Sequence, residues 1–226
     1  MQKSQTALLY ISVKIYIVAG MQRSGHHAVV LWLGKHIGDH HHINDVREPS
    51  PQLRNKYKQN VILSYENKSP EMFYDESAEK VLVVIRDPYN WLASRLKKRD
   101  VLYYAFTENT IPRYKRLIEY ATRNDLPSNV ICVNYNRWFS EKIYRQEIIE
   151  SCGLVFTDQG INQIPEFGNG SSFTECKYDG KAQEMKVLSR WKLMKNNDQY
   201  RRLILKKHPE LQEIAANVFG MSKPPL

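Results

Sequence analysis

The chain has 226 residues, of which 42% are hydrophobic and 25% charged; this globular balance excludes a disordered chain and fits one domain with a full core. Its 33 Lys and Arg against 24 Asp and Glu give a formal charge of +9, which points to an anionic partner: a nucleic acid, a phosphorylated cofactor, an acidic polysaccharide or a membrane surface. Cys132, Cys152 and Cys176 are too few for a disulfide scaffold and match no zinc spacing, and no apolar run reaches the ~20 residues of a membrane helix, so the expectation is a soluble protein of a reducing compartment, the cytoplasm.

The apolar stretch Ala7–Val13 is interrupted by Lys14 and is followed by no clean cleavage site, so it is not read as a signal peptide. Lys14–Ala19 is a β-branched run that stops at Gly20 and predicts a buried strand. His27–Ile37 has helical apolar spacing, with Gly38 as a C-cap. Val61–Ser64, Val81–Ile85 and Asn129–Asn134 predict further strands. Asn90–Arg99 and Pro112–Arg123 predict helices with basic outer faces, and Ile143, Ile148 and Ile149 give Ser140–Cys152 an amphipathic helical pattern. Gln183–Lys195 and Asp198–Phe219 predict terminal helices, the second broken near His208-Pro209. Strands alternating with helices indicate an α/β domain over residues 1–226, three layers with a central, mainly parallel sheet. Its ligands belong beyond the carboxyl ends of the strands. Glu48–Asn60, Lys97–Thr110 and Glu166–Lys181 are candidate functional loops.

Gly20-Met21-Gln22-Arg23-Ser24-Gly25-His26-His27 joins the first strand to the first helix. Backbone N–H groups of Arg23, Ser24, Gly25, His26 and His27 in such a loop would face an anion at the helix N-terminus. The spacing Gly-x4-Gly is that of a P-loop, but His26 and His27 stand where a nucleotide triphosphatase has Lys and a magnesium-binding Ser or Thr. The cation is instead Arg23. Alone, the spacing also suits an ordinary strand-to-helix turn. A second segment, Val81–Ile85, ends in Arg86-Asp87-Pro88 and is followed by Ser94. Arg86 at a strand's carboxyl end and Ser94 in the next helix suit a second phosphate, through a guanidinium fork and a hydroxyl. The plain structural alternative is an Arg86–Asp87 ion pair.

Together, the Arg-Ser-Gly loop and the Arg…Ser pair resemble the sulfotransferases that use 3′-phosphoadenosine 5′-phosphosulfate. The resemblance extends through Val130–Tyr135, Cys152-Gly153-Leu154 and Gly170-Ser171-Ser172-Phe173, roughly residues 14 to 195. It implies a P-loop-like fold and sulfuryl transfer to a hydroxyl or amine of an acceptor, either a carbohydrate or a small molecule. It also implies a nucleotide donor whose product is adenosine 3′,5′-bisphosphate, and no metal or nucleic-acid partner. In this reading the first loop holds the 5′-phosphosulfate, Arg86 and Ser94 hold the 3′-phosphate, and Tyr135 lies near the adenine. Ser172 and Phe173 belong to a covering loop, with Arg190, Lys177 or Lys181 completing the 3′-phosphate site. The chain departs from the family at His26 and His27, where hydroxyl residues are usual, and at Ala28, where an aromatic would stack on adenine.

Sulfuryl transfer needs a proton acceptor for the attacking group, and cations for the charge left behind. Arg23 and His26 are candidates for the second task. Glu66 is a candidate base, with His26 or His27 as alternatives and Asp45 or Glu48 behind them; a surface pairing of Glu66 with Lys68 is its structural alternative. His36, His40, His41 and His42 do not read as a metal site, because Gly38 breaks the helix between them; they end the first helix and start the second strand or line the cleft. Two other functions fit parts of the sequence: a P-loop kinase-like phosphotransferase, which lacks its magnesium hydroxyl here, and a non-enzymatic polyanion binder resting on net charge alone.

Overall fold

In the computed structural model, residues 13–49, 57–97, 106–168, 170–171 and 173–223 are described. The strands are β1 (Ile15–Gly20), β2 (His40–Ile43), β3 (Asn60–Glu66), β4 (Lys80–Ile85) and β5 (Val130–Asn134). They form one sheet in the order β2-β3-β1-β4-β5, and every neighbouring pair is parallel. The α/β expectation holds, with a sheet parallel throughout. Every residue of β1 is buried, as is all of β4 after Lys80. That is why both read as unbroken apolar runs: a central parallel strand is covered on both faces. Alternation along β1 then feeds two cores. Ile15, Ile17 and Ala19 pack with Trp91, Tyr114 and Leu117, while Tyr16 and Val18 pack with Val29, Trp32 and Trp138.

The helices are α1 (His26–Ile37), α2 (Pro70–Phe73), α3 (Pro88–Lys97), α4 (Ile111–Ala121), α5 (Tyr135–Ser140), α6 (Lys142–Ser151), α7 (Asp198–Arg202) and α8 (Glu210–Phe219). The helix expected over Ser140–Cys152 is α6, and a separate short helix, α5, precedes it. Asn134 caps α5 by accepting hydrogen bonds from Asn136 N and Arg137 N, and the chain restarts at extended Glu141 (φ −114°, ψ 110°). The helix expected over Gln183–Lys195 is instead 3-10 turns, Ala182–Glu184 and Val187–Met194, kinked at Ser189. Side chains from elsewhere take its carbonyls: Arg86 Nη2 donates to Val187 O at 2.6 Å and Asn90 Nδ2 to Leu188 O at 3.0 Å. The C-terminal break at His208-Pro209 falls as expected, between a π-helical turn (Leu203–Lys207) and α8. Among the described residues no helix is long and apolar enough to cross a membrane.

Register places the site. Gly20 is level with Glu66 on one side and Val84 on the other, and Ile85 pairs with Asn134. The residues that follow, Arg86 and Tyr135, therefore emerge side by side at the carboxyl edge. The chain runs from β1 to β2 and β3 on one side and returns to β4 on the other, which makes this edge a topological switch point.

One buried ion pair fixes the outer wall of that edge. Arg145, 3% exposed on α6, makes a bidentate contact with Asp158 (2.7 and 2.8 Å). Asp158 also accepts from Trp32 Nε1 on α1 at 3.3 Å, and its N–H donates to His36 Nε2 at 3.2 Å. It thus anchors the start of the segment carrying Ile161, Ile164 and Phe167, which lines the site. Asp158→Ala leaves the Arg145 guanidinium buried and unpaired, at a cost of about 3–5 kcal/mol. Urea unfolding should show that loss; a change below about 1 kcal/mol would contradict the anchor.

Candidate active site

β1 runs into a loop that only glycine can close. A Cβ at Gly20 would lie 2.7 Å from Ser24 Oγ and 3.2 Å from the Val84 carbonyl. Gly25 holds φ of 92°, and a Cβ there would enter the Tyr135 ring. Between them Arg23 is held at φ of 69°, a costly conformation for a side-chain-bearing residue. Helix α1 opens on Gly25 with no side-chain cap and no acidic residue in its first turn. The N–H groups of Gly25, His26 and His27 have no intrahelical acceptor, and they sit at the positive end of the helix dipole.

A second set of donors converges beside this loop. Arg86 is 2% exposed. Its Nη1 donates to Arg23 O at 3.0 Å and to Ser94 Oγ at 3.3 Å. Arg190, 8% exposed, donates from Nη1 to the same Ser94 hydroxyl at 3.1 Å and from Nη2 to Ser171 Oγ at 2.6 Å. Arg23 Nη1 donates to Gly170 O at 3.3 Å. Among the described residues none of these three guanidiniums forms an ion pair with a carboxylate. Asp87 is not the partner of Arg86: its oxygens accept from Asn90 N at 2.8 Å and Asn90 Nδ2 at 3.1 Å. Burial, then repulsion from Arg86 and Arg23, pulls Arg190 down to about 9. Positive charge buried without counter-charge is expensive, and an anion is what relieves it.

The third cluster is acid–base. Glu66 is the last residue of β3 rather than one beyond it. Its Oε1 lies 3.7 Å from His26 Nε2 and 3.9 Å from His27 Nε2. His26 is 2% exposed, and its Nε2 has no hydrogen-bond partner among the described residues. Burial holds His26 well below the usual imidazole range and also lowers His27. Burial and the Asp45 carboxylate raise Glu66 above its ordinary value, against Arg23, Arg95 and a bond from Gln22. These three side chains offer ligand atoms within 4.8 Å of one another. His27 Nε2 also lies 3.1 Å from Asn44 Oδ1. The other histidines do not converge: His36 bonds Trp32 O through Nδ1, His41 stacks on Tyr57 at 5.1 Å, and His40–His42 lie in β2.

All three clusters face a pocket of about 290 Å³. Arg23, Gly25, His26, His27, Glu66, Arg86, Tyr135 and Arg190 line it together. Ser24 and Ser94 are buried just behind the lining, Ser94 as the bridge between two guanidiniums. Phe173 backs Arg190, whose guanidinium lies 5.2 Å from its ring centroid. Ser172 lies outside the described residues. Lys177 and Lys181 are exposed and do not line the pocket. Sequence reasoning missed Asn44, Trp138, Phe139, Ile164 and Met185, which also line it. The apolar ones form a wall in which Tyr135 stacks on Trp138 at 5.5 Å.

Neither a protein-family model nor a curated protein matches the sequence. In structure, the chain is similar to mouse sulfotransferase SULT7A1 complexed with PAP, with a TM-score of 0.53 and 16% identity over 88% of this chain and 83% of that one. At that identity the likeness establishes the fold: an α/β domain of the sulfotransferase type, with a parallel sheet flanked by helices.

Pyrophosphate should raise the melting temperature of the protein, and Arg190→Ala should abolish most of the rise. Equal shifts in the two proteins would place the anion elsewhere.

Proposed function

We propose that this chain is a sulfotransferase that moves a sulfuryl group from 3′-phosphoadenosine 5′-phosphosulfate to a hydroxyl or amine of an acceptor, without a metal, with residues 1–226 acting as one domain. The observation that carries the proposal is the pair of buried guanidiniums, Arg86 and Arg190, bridged by Ser94 beside a glycine-closed helix N-terminus. Two separated anion sites on one pocket suit a nucleotide bearing phosphates at both ends. The likeness to a fold solved with PAP supports the same reading.

The residues divide the work. The N–H groups of Gly25, His26 and His27, with Arg23, hold the 5′ end and take up the charge that grows on the leaving phosphate oxygen. Arg86 and Arg190 hold the 3′-phosphate, and Ser94 keeps their guanidiniums in register. Tyr135, Trp138 and Phe139 offer ring faces and edges to adenine. The donor supplies an activated sulfuryl group. Glu66 accepts the proton of the attacking oxygen or nitrogen; burial raises the affinity of that carboxylate for a proton, as a base working near neutrality requires. His26 is held neutral by burial and donates a hydrogen bond to the transferring group's oxygens. The loop offers no Lys-Ser/Thr pair for a magnesium-bound triphosphate.

Adenosine 3′,5′-bisphosphate at a hundredfold excess over its Kd should raise the melting temperature by roughly 5–10 °C with magnesium chelated. Arg86→Ala should weaken its binding by about 1.5–3 kcal/mol in calorimetry. No shift at saturation would sink the proposal.

Glu66→Gln should lower kcat roughly 10²–10⁴-fold while nucleotide affinity holds. The sign of the pH effect follows from the raised pKa. A base works deprotonated, so activity falls as pH drops through that pKa, and the acid limb is displaced upward from where an unperturbed glutamate would put it. Undiminished turnover in the variant removes Glu66 from the mechanism.

A further inference from the structure

Ser64 is the odd residue of β3: a hydroxyl with no exposure in a strand whose other interior residues are Val, Ile, Leu and Tyr. A buried hydroxyl needs partners. Its Oγ donates to Asn44 Oδ1 at 3.0 Å, shorter than the 3.4 Å to Ile43 O. His42 Nε2 lies 3.1 Å from the same hydroxyl. Asn44, just past β2, stands at the rim of the pocket, and its Nδ2 donates to the Phe167 carbonyl at 3.5 Å.

These contacts fix the amide and, through it, a histidine. A backbone carbonyl only accepts, so the Asn44 nitrogen faces Phe167 and its oxygen faces Ser64 and His27. His27 Nε2 lies 3.1 Å from that oxygen. A carbonyl oxygen and a bare ring nitrogen form no hydrogen bond, so Nε2 carries the hydrogen. Burial favours the uncharged ring, which leaves Nδ1 without one. We infer that Asn44 is a positioning residue whose side-chain carbonyl holds His27 as the neutral Nε2–H tautomer, so that the ring nitrogen near Glu66 is not free to accept a proton and Glu66 takes it.

The same hydrogen keeps His27 Nε2 from ligating an ion with His26 and Glu66. Glu66 Oε1 lies 3.9 Å from the same Nε2. Only the assignment of the proton to Glu66 rests on the sulfotransferase reading; the tautomer does not.

The test is long-range ¹H–¹⁵N NMR of the full-length protein, with the His27 signals assigned by their loss in His27→Gln. The wild type should show a protonated Nε2 and a bare Nδ1. Asn44→Leu, which removes the acceptor at similar size, should give a mixture of tautomers and lower kcat roughly 10–100-fold with donor KM little changed. Asn44→Asp, which keeps an acceptor oxygen, should keep Nε2 protonated. A bare Nε2 in the wild type overturns the inference even if the variants fail to fold, and so does an unchanged His27 spectrum in folded Asn44→Leu. If the tautomer is as stated but no donor nucleotide binds, the positioning role of Asn44 stands and the sulfotransferase reading falls.

Discussion

Arg86 is the residue on which the site's geometry turns. Its guanidinium lies between three parts of the chain that are far apart in sequence. It donates to the loop at Arg23 O, to α3 at Ser94 Oγ, and to the 3-10 segment at Val187 O. Its own carbonyl accepts from Tyr114 OH on α4 at 2.8 Å. A guanidinium tolerates burial only when its donors are spoken for. Here Nη1 and Nη2 donate to neutral oxygens and the buried Nε has no hydrogen-bond partner among the described residues, so the charge is left uncompensated. Placing Arg190 against the same Ser94 hydroxyl adds a second charge to the first. The protein thus stores an electrostatic cost at one end of the pocket, and a dianionic group on the ligand would remove it.

The loop at the other end carries a conformational cost instead. Arg23 sits in a left-handed conformation, and Gly25 is pressed against Tyr135. Tyr135 itself lies under the Arg86 guanidinium, 5.1 Å from ring centroid to the charged carbon. Tyr135 is therefore a wall shared by the loop and the Arg86 cluster. Beside the loop, His26 and His27, both held below the usual imidazole range, face Glu66, which is raised above its usual pKa. Burial is the largest influence on this cluster: it suppresses charge on the imidazoles and, with the Asp45 carboxylate, raises the proton affinity of Glu66.

What could be read from the sequence follows from where local signals dominate. Ile15–Gly20 and Lys80–Ile85 are central strands, and their unbroken apolar runs announced both themselves and the polar residues at their ends, the Arg23 loop and Arg86. The 3-10 segment Val187–Met194 carries a helical pattern but is not an α-helix, because Arg86 and Asn90, about a hundred residues earlier, claim its carbonyls. No local window contains that competition. Asn44 was equally hidden. It is one polar residue at the end of a histidine-rich stretch, and it meets His27 only because β2 pairs with β3 at the sheet edge. The available hint was Ser64, a lone hydroxyl inside an apolar strand. The Arg86–Ser94 pair was legible because the two are joined by a strand-to-helix turn, whereas the aromatic wall at Trp138 and Phe139 comes from a separate short helix that the Asn134 cap starts directly after β5.

The central claim is that two anion sites on one pocket bind the two ends of one nucleotide. A crystal structure with adenosine 3′,5′-bisphosphate tests it most directly. The account predicts the 5′-phosphate against the backbone N–H groups of Gly25–His27, the 3′-phosphate within hydrogen-bond distance of Arg86 and Arg190, and the adenine along Tyr135 and Trp138. A nucleotide seated elsewhere, or one whose 3′-phosphate leaves both guanidiniums untouched, would contradict it.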